Sequence, residues 1–363
     1  MIDPFDIEDA FYKDENRESK DKRKRKEATD RSKYKKSDQK KHAKEHLLPE
    51  SEEGAKTGIV IEISSRGYFV ETDSGILLCN IRGSLKEEWH DDKTLVAIGD
   101  KVQWTPKNDS EGVISAVYPR SSELVRQDNL TRRKKQIIAS NIDLVVITVS
   151  IGVPPLKASI IDRYLIAARD GNLKAIIVVN KIDLLESYPE QKELLEEVEK
   201  AYAQANVPLF LVSSETGVGI PALEEALKGK ISVFSGPSGV GKSSLLYHLT
   251  GIELMIGDVV FKTQKGAHTT TSPKLIPLNK GGHTIDTPGI RSFGLFKIDK
   301  EGIKKGFPEW EALAQKCRFS DCTHRSEEGC AVKKAVEKGK ISPLRYDSYL
   351  DLLDDLDQTH KRR

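Results

Sequence analysis

The sequence predicts a multidomain protein: a small β-barrel, then an α/β domain built on a mostly parallel sheet, then a small helical module. Three observations predict it. Five short apolar runs broken by turn residues lie between Lys56 and Val117, the spacing of a small all-β unit. Strand-like apolar runs then alternate with helical patterns from Asn141 to Leu249, as in α/β domains. Beyond residue 298 the pattern is helical, at Trp310 to Lys316, Ala331 to Lys338 and Tyr346 to Arg363. A chain of 363 residues is too long for one ordinary core.

Residues 1–55 are expected to form a disordered basic tail. Between Lys20 and His46 stand 13 Lys/Arg and 5 Asp/Glu with almost no apolar residue, too little buried surface to offset the entropy of ordering. The tail fits either a solubilising segment or an arm that binds nucleic-acid phosphate. The whole chain carries a formal charge of only +2, so the basic character is local. No stretch reads as a signal peptide or membrane span; a cytoplasmic protein with no membrane partner is expected, and a monomer is the default.

Residues 56–118 hold the five runs, beginning Gly58-Ile59-Val60-Ile61-Glu62-Ile63 and ending Gly112-Val113-Ile114-Ser115-Ala116-Val117. An OB-fold barrel is the expectation. Arg66, Tyr68, Arg82, Lys86, Trp89 and Trp104 are either a contact surface for nucleic acid or ordinary charges and core aromatics. Cys79 sits in a strand pattern and reads as a buried small hydrophobe. Residues 119–127 are taken as a linker, within a basic connector that runs to Lys135.

Residues 128–297 read as one α/β domain. Its strands include Asn141 to Val149, Lys174 to Val179, Pro208 to Val212 and Ile231 to Ser235. The last leads directly into Gly236-Pro237-Ser238-Gly239-Val240-Gly241-Lys242-Ser243, a G-x-x-x-x-G-K-S run, and Ser244 to Leu249 continues as a helix. Such a loop aims backbone N–H groups at a diphosphate, Lys242 reaches the β- and γ-phosphates, and the Ser243 hydroxyl binds Mg²⁺.

The base is indicated by Asn180-Lys181-Ile182-Asp183, immediately after a strand. A carboxylate there can accept from the ring N–H and exocyclic amine of guanine, a donor pair that adenine lacks. Asn180 would brace neighbouring loops and the Lys181 stem would lie along the base. Ser213-Ser214-Glu215-Thr216-Gly217 would offer amides to the guanine carbonyl, with Ser214 where alanine is usual. Asp286-Thr287-Pro288-Gly289 gives D-x-P-G: Asp286 would hold Mg²⁺ through water and the Gly289 amide would sense the γ-phosphate. In His268-Thr269-Thr270-Thr271 one threonine, Thr270 or Thr271, would cap Mg²⁺ in a mobile switch. Base-reading boxes precede the phosphate loop, the reverse of the ordinary order, so the domain is read as a circularly permuted P-loop GTPase, a rearrangement open to domains whose termini lie close together.

Cys317, Cys322, His324 and Cys330 form C-x₄-C-x-H-x₅-C. Three thiolates and one imidazole complete a closed tetrahedral shell, so residues 298–363 are expected to be a small helical zinc-binding domain with one structural Zn²⁺. Arg318, Arg325, Lys333 and Lys334 beside it would suit an RNA surface.

The permuted boxes, the Gly-Pro-Ser-Gly-Val-Gly-Lys-Ser-Ser-Leu run at Gly236, the His-Thr-Thr-Thr switch, Asp-Thr-Pro-Gly and the barrel's Gly99-Asp100-Lys101-Val102-Gln103-Trp104 resemble the RsgA/YjeQ family, the ribosome small-subunit-dependent GTPases. The resemblance covers roughly residues 56–335. It implies hydrolysis of GTP to GDP and phosphate, stimulated by the small ribosomal subunit during its late maturation, with release coupled to hydrolysis and rRNA as a partner. Ile290 follows Gly289 where many GTPases place a glutamine, and an alkyl side chain cannot orient water; the resemblance points to His268 for that task. The alternative is an RNA-binding P-loop GTPase with a different RNA or protein activator. An ATP-dependent enzyme is disfavoured by Asp183, and a vestigial nucleotide site by the intact Lys242, Ser243 and Asp286.

Overall fold

The structure is a computed structural model that describes residues 54–83, 85, 95–127, 135–253, 274–286 and 299–361. Residues 1–53 of the basic tail, Lys86, Trp89, His268, Thr270, Thr271 and Gly289 lie outside the described residues.

Five strands close the barrel: β1 (Lys56–Ser64), β2 (Gly67–Thr72), β3 (Gly75–Ile81), β4 (Lys101–Pro106) and β5 (Glu111–Val117). Their order is β1-β2-β3-β5-β4, with β4 returning to β1 and only β3 and β5 parallel. That closure is the OB arrangement predicted. Inward positions carry Val60, Val70, Cys79, Val102, Trp104 and Ile114, all buried. Trp104 therefore belongs to the barrel core and to no contact surface.

A hairpin follows, β6 (Glu123–Gln127) against β7 (Lys135–Ser140). Its first strand falls within the segment expected to be a linker. Distant contacts hold it: the fully buried Asp100 accepts from Arg120 Nε at 2.7 Å, from the Ser140 hydroxyl at 2.6 Å and from the Ala97 amide at 2.7 Å. Gly99 allows this approach, since it has φ +85° and a Cβ there would meet the Ser140 carbonyl oxygen at 2.2 Å.

The α/β domain has strands β8 (Leu144–Ser150), β9 (Lys174–Asn180), β10 (Leu209–Leu211), β11 (Ile231–Ser235), β12 (Lys274–Pro277) and β13 (His283–Asp286). They lie in the order β10-β9-β8-β11-β13-β12, and all but β12 are parallel. Helices α1 (Ala158–Asp170) and α2 (Glu190–Gln204) cover one face, α3 (Ile220–Leu227) and α4 (Lys242–Thr250) the other. Side-chain alternation along β8 sorts the two cores: Val145, Ile147 and Val149 pack with Ile161, Val198 and Tyr202, whereas Leu144 and Val146 pack with Leu223, Leu245 and Leu249. Burial on both faces explains the unbroken apolar runs. At the other edge β12 pairs with β1 at Glu62 and Lys274, whose side chains form an ion pair at 2.7 Å, so barrel and α/β strands share one sheet.

The carboxyl-terminal module contains α5 (Lys300–Lys305), α6 (Glu311–Ala314), α7 (Ala331–Glu337) and α8 (Pro343–Lys361). Phe307 and Trp310 stack at 4.6 Å, and Tyr349 meets each edge-on at 5.4 Å. Arg345 of α8 is buried between this module and α1, ion-paired with Asp162 and with Glu309 and stacked over Phe307. Among the described residues no helix is long and apolar enough to cross a membrane.

Candidate functional site

Parallel strands deliver their carboxyl ends to one edge of a sheet, where the following loops can converge on a ligand. Here that edge collects the ends of β8, β9, β11 and β13. The run from Gly236 to Gly241 leaves β11 and opens α4, with Lys242 as the first helical residue and Ser243 and Ser244 exposed on its first turn. The Lys242 ammonium donates to the carbonyls of Gly236 and Pro237 at 2.8 and 2.6 Å, which folds the side chain back over the loop. Pro237 is half-buried, Ser238 and Gly239 are exposed, and Val240 is buried beneath them.

Asn180, the last residue of β9, is fully buried and joins three segments. Its Nδ2 donates to the Val240 carbonyl at 2.9 Å and to the Ser214 hydroxyl at 3.2 Å; its Oδ1 accepts from the Ser214 amide at 3.0 Å. Gly241 has φ +92°, and a Cβ there would stand 2.3 Å from Asn180 Nδ2. The asparagine thus reaches the phosphate loop only because residue 241 has no side chain.

Lys181 adopts a left-handed backbone with φ +61°, and its ammonium donates to the carbonyls of Gly239 at 2.6 Å and Val153 at 2.9 Å. Asp183 lies exposed in the short 3₁₀ turn Ile182–Glu186, where one carboxylate oxygen accepts from the buried Ser213 hydroxyl at 2.5 Å. A carboxylate has about four lone-pair sites, so Asp183 can hold Ser213 and still accept two hydrogen bonds from a base. The Ser213 hydroxyl also accepts from the amides of Glu215 and Thr216 at 3.2 and 3.0 Å. Those amides were expected to face a guanine carbonyl; here they close a turn around Ser213. His248, on α4, approaches the Ser214 carbonyl with Nε2 at 2.7 Å.

Asp286 ends β13, which runs parallel to β11, so its residue position is at the same sheet edge as the phosphate loop. The predicted residues that the structure brings together are therefore Asn180, Lys181, Asp183, Ser213, Ser214 and the stretch from Gly236 to Ser244, with Asp286 at their edge. His248 escaped sequence reasoning, since a lone histidine late in a helix has no motif to mark it.

The cysteine and histidine cluster closes on itself. Cys317 Sγ lies 3.9 Å from Cys330 Sγ and 3.6 Å from His324 Nδ1, with Cys330 Sγ at 3.5 Å from the same nitrogen. All four candidate donors, Cys322 included, lie within 4.8 Å of one another. Tetrahedral zinc with bonds of about 2.3 Å to sulfur and about 2.0 Å to nitrogen separates its donors by about 3.8 Å (S···S) and about 3.5 Å (S···N). The donor set and spacing fit that ion. Amides of Ala331 and Lys333 point at the Cys317 and Cys330 sulfurs at 3.3 and 3.5 Å, hydrogen bonds that favour thiolates. Burial pushes the Cys322 thiol up to about 12, a cost that a divalent ion offsets.

Glu327 braces the intervening loop, another residue no motif announced. It accepts from the Thr323 hydroxyl and amide and from the amides of Arg325 and Ser326. Burial alone would raise its carboxyl; these donors prevail and hold it at about 2. Among the basic residues expected to face RNA, Arg325 turns inward to ion pairs with Asp354 and Asp357 of α8, while Arg318 is exposed beside Phe319 and Glu328.

Comparison with known proteins agrees with this arrangement. Residues 117–296 match the family model for the RsgA GTPase, and residues 57–114 match that for the RsgA N-terminal domain. The chain is 40% identical over 325 residues to a protein of Haemophilus influenzae (strain PittGG) named small ribosomal subunit biogenesis GTPase RsgA, covering 88% of this chain and 89% of that one. A protein of the same name from Chlorobaculum tepidum is 42% identical over 311 residues, 83% of this chain and 98% of its own. Among solved structures, YjeQ from Thermotoga maritima superposes with a TM-score of 0.66 at 33% identity, covering 83% of this chain and 98% of that one. YloQ, described as a circularly permuted GTPase, gives 0.66 at 27% identity, with 88% and 98% covered. With the permuted order, the OB barrel and the Cys₃His cluster all in place, the chain belongs to the RsgA family of GTPases.

Proposed function

We propose that this protein hydrolyses GTP to GDP and phosphate and acts in biogenesis of the small ribosomal subunit, with hydrolysis stimulated by the subunit and coupled to release. The observation that carries the reading is Asn180 joining the phosphate loop to Ser214, beside an Asp183 with free acceptor capacity. Such a frame fixes base and phosphate sites relative to each other.

In this mechanism Asp183 reads the ring N–H and amine of guanine, and the Lys181 stem lies along the base. Amides from Ser238 through Ser244, with the N-terminus of α4, take up the phosphates. Lys242 leaves its two carbonyl partners to neutralise the β- and γ-phosphates, an exchange of neutral acceptors for charged ones. Ser243 and Asp286 would hold Mg²⁺, which when bound offsets charge developing on the phosphate oxygens. Either Thr270 or Thr271 would complete the set of residues that hold the ion, Gly289 would sense the γ-phosphate, and His268 would orient the attacking water in place of the absent glutamine. Cys317, Cys322, His324 and Cys330 would hold one Zn²⁺, which would keep the last module folded. The working parts are the tail (1–55), barrel (56–118), GTPase domain (128–297) and zinc module (298–363), acting as a cytoplasmic monomer on rRNA of the subunit.

The test is competition for a fluorescent GDP analogue, followed by cosedimentation with purified small subunits. GTP displacing the probe far better than ATP, with cosedimentation stronger in a non-hydrolysable GTP analogue than in GDP, supports the reading. Equal displacement by ATP, or cosedimentation indifferent to nucleotide, contradicts it.

A further inference from the structure

His248 lies in the second turn of α4, on the helix that the phosphate loop opens. Its Nε2 is 2.7 Å from the Ser214 carbonyl oxygen. A carbonyl only accepts, so Nε2 carries the proton and donates. The other two polar groups of Ser214 are held by Asn180: the amide donates to Oδ1 at 3.0 Å and the hydroxyl accepts from Nδ2 at 3.2 Å. Every polar group of Ser214 is thus anchored, two to Asn180 at the end of β9 and one to the phosphate-loop helix. The backbone of α4 is itself fixed where His248 sits, since the His248 carbonyl accepts from Asn279 Nδ2 at 3.0 Å and the Leu249 carbonyl from the Asn279 amide at 2.8 Å.

We propose that His248 is a positioning residue for guanine: by holding the Ser214 carbonyl to the phosphate-loop helix it fixes the neighbouring Ser213, whose hydroxyl donates to Asp183 at 2.5 Å, and so sets the carboxylate that accepts from the ring N–H of the base. The inference rests on the guanine reading above and adds a member from a helix that no base-recognition box includes. Asn180 alone fixes the loop to β9; His248 fixes it to α4, so loop, strand and helix form a closed triangle. The bond is exposed, so water competes for it and its loss weakens the loop without unfolding the domain.

The experiment measures GTP, ITP and ATP competing with a fluorescent GDP analogue on wild type, His248→Ala, His248→Gln and Asp183→Asn. GTP and ITP both present the ring N–H that Asp183 would accept; ATP does not. In His248→Ala, GTP and ITP should each lose about three- to tenfold in affinity while ATP changes little, the size expected of one exposed hydrogen bond. The glutamine amide can donate in place of Nε2 and should restore most of the loss. Equal losses for all three nucleotides, or no loss, would overturn the proposal. Asp183→Asn separates the two levels: if it leaves GTP affinity untouched, the guanine reading itself fails; if it lowers GTP affinity while His248→Ala does not, only the role of His248 fails.

Discussion

Asn180 accepts the Ser214 amide at 3.0 Å while donating to the Val240 carbonyl at 2.9 Å, so one fully buried side chain spans base loop and phosphate loop. Truncation leaves a buried carbonyl and an amide without partners, at about 1–3 kcal/mol each. Asn180→Ala is therefore expected to weaken GTP and GDP binding by at least tenfold and to lower the melting temperature, both measurable by probe titration and calorimetry.

Asp183→Asn makes a sharper prediction about the base. Replacing one carboxylate oxygen by an amide removes an acceptor and adds a donor. GTP affinity should fall by about 10²-fold or more, as for a site whose polar groups lose their complement. Xanthosine triphosphate, which presents a carbonyl where guanine has its amine, should bind the variant better than GTP does. Competition with the two nucleotides checks it.

For the metal, mass spectrometry of the native protein should find one zinc per chain. Cys330→Ser, which removes one ligand, should lose it and loosen the carboxyl-terminal module, because the apolar cluster of Phe307, Trp310 and Tyr349 packs directly beside Cys322 and Cys330. A strong chelator should have the same effect on tryptophan fluorescence, and added zinc should reverse it.

Glu327 supplies a pH dependence. Its carboxyl is held at about 2, below the ordinary value of about 4.3, so its hydrogen bonds stabilise the fold fully above the ordinary value and lose that effect as pH falls towards 2. Glu327→Gln should destabilise by about 1–2 kcal/mol, discounted for partial exposure. Denaturant titrations should show a constant gap to wild type from pH 8 to 5 and a narrowing gap below about pH 4.3.

What could be read from the sequence was chemistry carried by local spacing. The phosphate loop, Asn180 with Asp183, and the Cys₃His cluster each specify a site within a few residues, and alternation along β8 or β9 reports burial directly. The β6–β7 hairpin was not legible, because Asp100, far back in the chain, holds it through Arg120 and through Ser140 of β7. Trp104 could have faced solvent or core; only barrel closure places it inside. Arg325 looks like an RNA contact until α8 folds back and supplies Asp354 and Asp357. His248 became visible when α4 was seen beside the Ser214 loop.

The most direct measurement of the central claim is GTP turnover by wild type and Lys242→Ala, with and without purified small ribosomal subunits. In the proposed mechanism Lys242 neutralises the transferring phosphates, and Ile290 supplies no water-orienting group, so slow intrinsic turnover is expected. The account predicts strong stimulation by the small subunit, absent in Lys242→Ala. Turnover indifferent to the subunit, in protein that still binds GTP, would contradict it.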